Sequence, residues 1–87
     1  MDINTATAAG DLAAYINPRL EMLTLLDQMI ADGWIICGVQ VKNAEGGGAM
    51  SLLKDDLDTQ TSALVLSYAK QIYQAQVDAA QAQLTAL

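Results

Sequence analysis

The most regular hydrophobic pattern in the chain lies in its last third, DDLDTQTSALVLSYAKQIYQAQVDAAQAQLTAL. Small and apolar residues recur there at alternating spacings of four and three, the heptad pattern of a helix that packs against another helix. This first row is Thr61, Val65, Tyr68, Ile72, Ala75, Ala79, Ala82 and Ala86. The pattern predicts a long C-terminal helix within residues 57–87, helical from about 58 to 86 and capped by Asp58 or Thr59.

The same segment carries a second apolar row, one turn round from the first, and a polar stripe on the far side. The second row is Leu66, Ala69, Tyr73, Val77, Ala80, Leu84 and Leu87. The polar stripe is Ser67, Gln71, Gln74, Asp78, Gln81 and Thr85. The helix is therefore expected to have a broad apolar arc and one edge in water.

A shorter amphipathic pattern over residues 17–33 predicts another helix. Asn17 suits an N-cap, Pro18 suits the first helical position, and Gly33 suits a left-handed C-terminal residue. The apolar stripe between them is Met22, Leu23, Leu26, Met29 and Ile30. Residues 1–16 are interpreted as a short N-terminal helix or arm, which Gly10 weakens.

The central segment, residues 34–54, is predicted to form a β-hairpin. Its first part, WIICGVQVKN, places Ile35, Cys37, Val39 and Val41 on one face of a strand. NAEGGG follows with residues typical of a connection between strands, and Ala49–Leu53 can return as the second strand. Alternatively, a helix starts at Ala49 and leaves the first strand without a partner in its own chain.

Together these elements predict one α+β domain over residues 1–87, in the order α-α-β-β-α, with the β-hairpin packed on the helices. The C-terminal helix would be about 43 Å long, whereas a compact chain of this length is about 30 Å across. Its last turns are then expected to overhang the domain and to need cover from another helix. Fraying of the last turns, or a break near Asp78, is the alternative.

Composition and charge narrow the classes of partner. The 87 residues carry a net charge of −6, and the dispersed basic residues are Arg19, Lys42, Lys54 and Lys70. Nucleic-acid backbones and anionic membranes need clustered positive charge, so neither is expected to bind. No apolar run approaches the ~20 residues of a membrane span, the first residues do not resemble a secretory signal, and Cys37 is the only cysteine. A cytoplasmic protein is expected.

Candidate chemical sites are few. Gly46, Gly47 and Gly48 lack the Gly-Lys-Ser/Thr ending of a phosphate loop, so a turn is favoured. Cys37 is expected to be a buried structural residue, since nothing nearby would activate a thiol. Asp55, Asp56 and Asp58 lack the glycine and glutamate of a calcium loop, which favours helix capping. With no histidine in the chain, we expect no catalytic residue, no metal and no cofactor.

The leading hypothesis is a small, acidic, non-enzymatic binding protein that forms homo-oligomers through its C-terminal helix and acts on a protein partner. Its expected oligomer interface is Val65, Tyr68, Ile72, Ala75, Ala79, Ala82, Leu84 and Ala86. In its short length and alanine content the whole chain resembles accessory proteins of bacteriophages, which implies a phage or mobile-element accessory or inhibitor protein; the likeness involves no motif.

Two alternatives belong to other functional classes. One is a protein that sequesters a nucleotide-like small molecule between subunits, with contacts from Arg19, Trp34, Lys42, Gly46, Gly47 and Tyr73. Arg19 draws interest because a cation is disfavoured in the first turn of a helix, although an ion pair with Glu21 would explain it. The other alternative is a structural subunit of a virion-type assembly.

Overall fold

The computed structural model describes residues 2–87 and consists of two long helices joined through a β-hairpin. Helix α1 spans Ile3–Ala31 and helix α2 spans Thr59–Thr85, with strands β1 (Gln40–Lys42) and β2 (Ala49–Ser51) between them. The small α+β domain expected from the sequence is confirmed in this coarser form. The helices run antiparallel because the connection returns the chain alongside α1.

Helix α1 is continuous, so the predicted helix boundary at Asn17 and Pro18 is wrong. The helix begins after Asp2, whose carboxylate accepts a 2.7 Å hydrogen bond from the Thr5 amide, and Pro18 lies in its interior. A proline there removes one hydrogen bond to the carbonyl four residues back, that of Ala14. Because Ala14 is exposed, water can satisfy that carbonyl.

The end of α1 and the beginning of α2 follow their predicted local signals. Gly33 follows α1 with a φ of +72°, a left-handed conformation that favours glycine. Asp58 caps α2, with its carboxylate 2.6 Å from the Thr61 amide nitrogen. The predicted long helix is confirmed and passes through Asp78 without a break.

The core is a single seam between the two helices. Its buried cluster is Ile16, Leu23, Val77 and Ala80, with Leu12, Tyr73 and Leu84 packed against it, and Leu26 is also buried. The N-terminal half of α1 therefore lies beside the C-terminal half of α2. The predicted overhang of α2 is wrong, because a 29-residue α1 is long enough to accompany it.

The β-hairpin forms where it was predicted but is shorter and is not packed on the helices. Val41 pairs with Met50 at the centre of the antiparallel register, and the predicted strand segment over 34–39 is irregular. The alternative helix start at Ala49 is thereby excluded. Neither strand contacts either helix, so the expectation of packing is wrong. Without a covering layer Cys37 is exposed, which corrects its predicted burial.

Ser62 attaches the connection to α2. Its fully buried hydroxyl accepts a 2.9 Å hydrogen bond from the Ile36 amide and lies 3.5 Å from the Leu57 carbonyl oxygen. The Leu57 amide in turn donates to the Ile36 carbonyl at 2.9 Å. These bonds hold the two ends of the segment that carries the β-hairpin against each other and against α2.

Candidate functional site

The two helices form one layer with unlike sides. The Cα positions extend 53 × 36 × 14 Å, so the molecule is flat and has no second layer over the helices. Domains usually bury apolar surface between at least two layers. One side of this layer is polar: Lys70 forms an ion pair with Asp27, and Gln74 donates a 2.9 Å hydrogen bond to Asp78.

The other side of the layer, called the apolar face below, includes the exposed residues Tyr15 from α1 and, from α2, Val65, Tyr68, Ile72, Ala75, Ala79, Ala82 and Ala86. Its largest side chains are open to solvent: Val65 is 41%, Tyr68 64% and Ile72 44% exposed. The first heptad row of α2 therefore faces outward from Val65 onward, while Tyr73, Val77, Ala80 and Leu84 of the second row pack against α1. Exposed apolar surface of this extent is typical of a contact surface.

A groove lies within this face, between the two helices. It has a volume of about 530 Å³ and is open along one side. Its lining residues are Asp11, Leu12, Tyr15, Ala75, Gln76, Ala79, Ala80 and Gln83. The alanines leave this space because their side chains are short, so it could hold side chains from a partner helix.

Arg19 orders the side chains at the edge of the groove. Its Nε donates a 2.9 Å hydrogen bond to Gln76 Oε1, and its Nη1 donates one of 2.9 Å to the Tyr15 carbonyl. Its guanidinium carbon is 3.5 Å from the Tyr15 ring centroid, a cation–π contact. The expected ion pair with Glu21 is absent from the ion pairs of residues 2–87. Arg19 thus connects α2 to α1 beside Pro18.

The surface area of the chain is larger than that of a compact domain of the same mass. Its solvent-accessible surface is 6507 Å², whereas a globular monomer of this mass exposes about 4,900 Å². The Cα radius of gyration is 17.0 Å, against about 12 Å for a compact domain of this length. The excess of about 1,600 Å² per chain is enough for a stable protein–protein interface.

Two of the acidic residues, Asp2 and Asp58, cap helices. Among residues 2–87 the acidic residues form no cluster that could hold a metal ion. A hydrogen bond from the Thr61 amide lowers the pKa of the Asp58 carboxyl, and one from the Thr5 amide lowers the pKa of Asp2. Both carboxylates are helix N-caps, where the backbone N–H groups stabilise negative charge. Asp55 and Asp56 are exposed within the connection between the helices.

The residues predicted to form an oligomer interface mostly share the apolar face. Leu84 is the exception, because it lies on the inner row and packs against the core. Sequence reasoning missed Leu12 and Tyr15, which α1 contributes to the groove. Their spacing of three residues was a usable signal, but only for a helix that continues through Pro18.

The residues predicted to contact a small ligand are not gathered in one place. Lys42 and Gly47 line a hollow at the β-hairpin, and Gly46 is in the same loop. Arg19 is at the groove edge, Trp34 is exposed in the connection, and Tyr73 packs against the core. None of these six residues lines the 530 Å³ groove.

No family model, no curated protein and no solved structure matches this chain. Within residues 2–87, neither helix combines the length and the apolar character needed to cross a membrane.

Proposed function

We propose that the protein is a small, non-enzymatic binding protein that forms homo-oligomers through α2 and acts on a protein partner. The observation that carries this proposal is the exposure of the first heptad row of α2 from Val65 to Ala86 on a single helical layer. Two copies that place these faces together would form a four-helix arrangement with two layers.

The composition of the face supports association with another helix. Ala75, Ala79 and Ala82 are small and allow close approach of helix backbones. Tyr68 and Ile72 supply larger side chains that fit the spaces beside such residues. A symmetric dimer needs only one self-complementary surface, so self-association is the simplest use of this face.

The deciding experiment measures native mass for a variant that puts charge on the apolar face. Ala79→Glu with Ala82→Glu buries two carboxylates in the proposed interface, and we expect the mass to fall to that of a monomer. The matched control is Gln71→Glu with Gln81→Glu, which adds the same charge to the polar side of α2. The control should retain the wild-type mass.

Two results would contradict the proposal. One is a wild-type protein that remains monomeric at millimolar concentration with both helices intact by circular dichroism. The other is an Ala79→Glu, Ala82→Glu variant that keeps the wild-type oligomeric mass. A mass that grows without limit with concentration would favour the structural-subunit alternative, because that class forms open assemblies.

A second candidate function, sequestration of a small molecule between subunits, is favoured by the groove. The groove has a volume typical of small-ligand sites and lies within the proposed interface. Tyr15 lines the groove beside Arg19, and Gln83 offers an amide for hydrogen bonding. The ligand would be held by groove residues and not by the β-hairpin residues Lys42, Gly46 and Gly47.

Thermal unfolding with a panel of nucleotides and metabolites separates the two candidates. A ligand that binds the folded state stabilises it by mass action. A shift of several degrees that disappears in Ala75→Trp, where the indole would fill the groove, would support sequestration. No shift with any compound of the panel would leave protein binding as the function.

A further inference from the structure

The β-hairpin has two unlike faces. Side chains alternate along a strand, so cross-strand pairs share a face. Val39, Val41, Met50 and Leu52 lie on one face, whereas Gln40, Lys42, Ala49 and Ser51 lie on the other. Met50 is 70% and Leu52 65% exposed. The apolar face is therefore open to solvent, although its alternation is typical of a half-buried sheet.

The backbone at the outer edges of the β-hairpin is also free to pair. Leu52 donates to the Val39 carbonyl at 2.7 Å, and Asn43 donates to the Gly48 carbonyl at 3.1 Å. Because hydrogen-bonded pairs alternate with non-hydrogen-bonded pairs, the N–H and C=O groups of Ala49 and Ser51 point away from β1. On β1 the outward groups belong to Gln40 and Lys42.

The two edges differ in charge. Strand β2 presents Ala49, Met50 and Ser51, which are all uncharged, whereas Lys42 lies on the edge formed by β1. Edge lysines commonly prevent pairing between sheets, and an uncharged edge invites it. A two-stranded sheet is also marginally stable alone, and further strands with an apolar face stabilise it.

We propose that β2 pairs antiparallel with β2 of a second copy and forms a four-stranded sheet in the order β1-β2-β2-β1. This inference builds on the proposed self-association and specifies a second contact for it. A second copy is the occupant because the edge is self-complementary about a two-fold axis. The surface excess of about 1,600 Å² per chain belongs to the whole molecule, so it accommodates this contact together with the proposed helix contact.

The register follows from the outward groups. Ala49 of each copy faces Ser51 of the other copy and exchanges two backbone hydrogen bonds with it, which gives four bonds in all. Met50 faces Met50 of the second copy as a non-hydrogen-bonded pair on the axis. Since the axis is perpendicular to the sheet, the apolar faces of both β-hairpins lie on the same side.

Disulfide trapping tests this register. In a Cys37→Ser background, Met50→Cys places two cysteines with Cα atoms about 4.5 Å apart across the axis, a separation that a disulfide can span. The matched control is Val41→Cys, on the same face of the neighbouring strand. Its two copies would be about 14 Å apart, three strand spacings, and should not be joined.

At micromolar protein under mild oxidation, we expect Met50→Cys to form a covalent dimer at least tenfold faster than Val41→Cys. Equal rates, or faster trapping of Val41→Cys, would overturn the pairing through β2. If Met50→Cys is not trapped while native mass still shows an oligomer, strand pairing fails and helix association stands. If wild-type protein is monomeric, the proposed function fails as well.

Amide hydrogen exchange on the wild-type protein gives an independent readout. The amides of Ala49 and Ser51 should become protected as the concentration rises, while those of Gln40 and Lys42 continue to exchange quickly. Ser51→Pro removes one outward N–H and should weaken self-association at least tenfold, whereas Lys42→Pro, on the opposite edge, should not. Ser51→Ala keeps the amide and should retain wild-type association. In the amide-exchange experiment, protection of Gln40 and Lys42 alone would overturn the proposal.

Discussion

The guanidinium carbon of Arg19 lies 3.5 Å from the centroid of the Tyr15 ring, one turn earlier in the same helix. The same guanidinium donates to the Tyr15 carbonyl and to the Gln76 side chain. These contacts surround the point where Pro18 interrupts the hydrogen bonding of α1. Arg19 therefore supports the interrupted turn and fixes α2 beside it.

Replacement of Arg19 by lysine should destabilise the fold even though the charge is kept. An ammonium group cannot donate to Tyr15 and Gln76 in the planar geometry of a guanidinium. We expect a loss of about 1–2 kcal/mol in the free energy of unfolding, measured by urea titration at fixed protein concentration. Tyr15→Phe is the control, since it keeps the ring and the backbone carbonyl; an unchanged Arg19→Lys would contradict this role.

Pro18→Ala should stabilise the protein. Alanine restores the amide that can donate to the Ala14 carbonyl and suits a helix interior, so the gain should be about 1–3 kcal/mol. Thermal and urea unfolding measure it. Asn17→Ala provides the contrast: in a continuous helix it should be neutral or slightly stabilising. A loss of about 1 kcal/mol for Asn17→Ala would instead indicate a helix that begins at Asn17.

Ser62→Ala should weaken the attachment of the connection to α2. It leaves the Ile36 amide without its buried acceptor, which costs about 1–3 kcal/mol. Urea unfolding measures the loss, and amide exchange should show Ile36 losing protection before the helices do. Ser67→Ala, on the polar side of the same helix, should be nearly neutral. Equal effects of the two substitutions would contradict the assigned role of Ser62.

The stability of the fold should fall in acid partly through Asp58. Its folded-state pKa is lowered by the Thr61 amide hydrogen bond, so its contribution is present above the ordinary aspartate pKa of about 3.9. That contribution is lost as pH falls through the lower folded-state pKa. Carboxyl NMR titration should show the lowered pKa in the native state.

The variant Asp58→Asn separates charge from capping. Asparagine keeps an oxygen acceptor for the Thr61 amide but does not titrate in this range. We expect it to fold with α2 intact and to show a shallower loss of stability between pH 5 and pH 2. Asp58→Ala should lose stability at neutral pH as well; identical acid profiles for Asp58→Asn and wild type would exclude Asp58 as a source of the pH dependence.

Short-range patterns along the chain were sufficient to predict much of this structure. The cap at Asp58, the left-handed Gly33 and the turn formed around Gly46 and Gly48 each depend on backbone geometry within a few neighbouring residues. The length of α2 follows from an unbroken period in its apolar positions. Such features are local, so the residues themselves carry enough information to predict them.

The predicted helix boundary at Pro18 and the predicted burial of Cys37 were both wrong, and both depend on contacts between distant residues. Proline suits the first turn of a helix and destabilises a helix interior, so residues 14–20 alone favour a helix boundary at Pro18. Packing of Ile16 and Leu23 in one seam with Val77 and Ala80 accompanies the continuous helix. Likewise, the alternation around Cys37 predicts an inward face, but burial requires a covering layer, and this chain places none there.

Tertiary contacts also determined which of the two apolar rows of α2 is buried. Both rows have helical periodicity, so the amino-acid order alone defines a broad apolar arc without selecting its inner half. Tyr73, Val77 and Leu84 face inward because α1 contacts that side, which leaves Tyr68, Ile72 and their row outside. Helix limits arise from interactions between near neighbours, whereas the inner and outer faces arise from contacts between residues more than fifty positions apart.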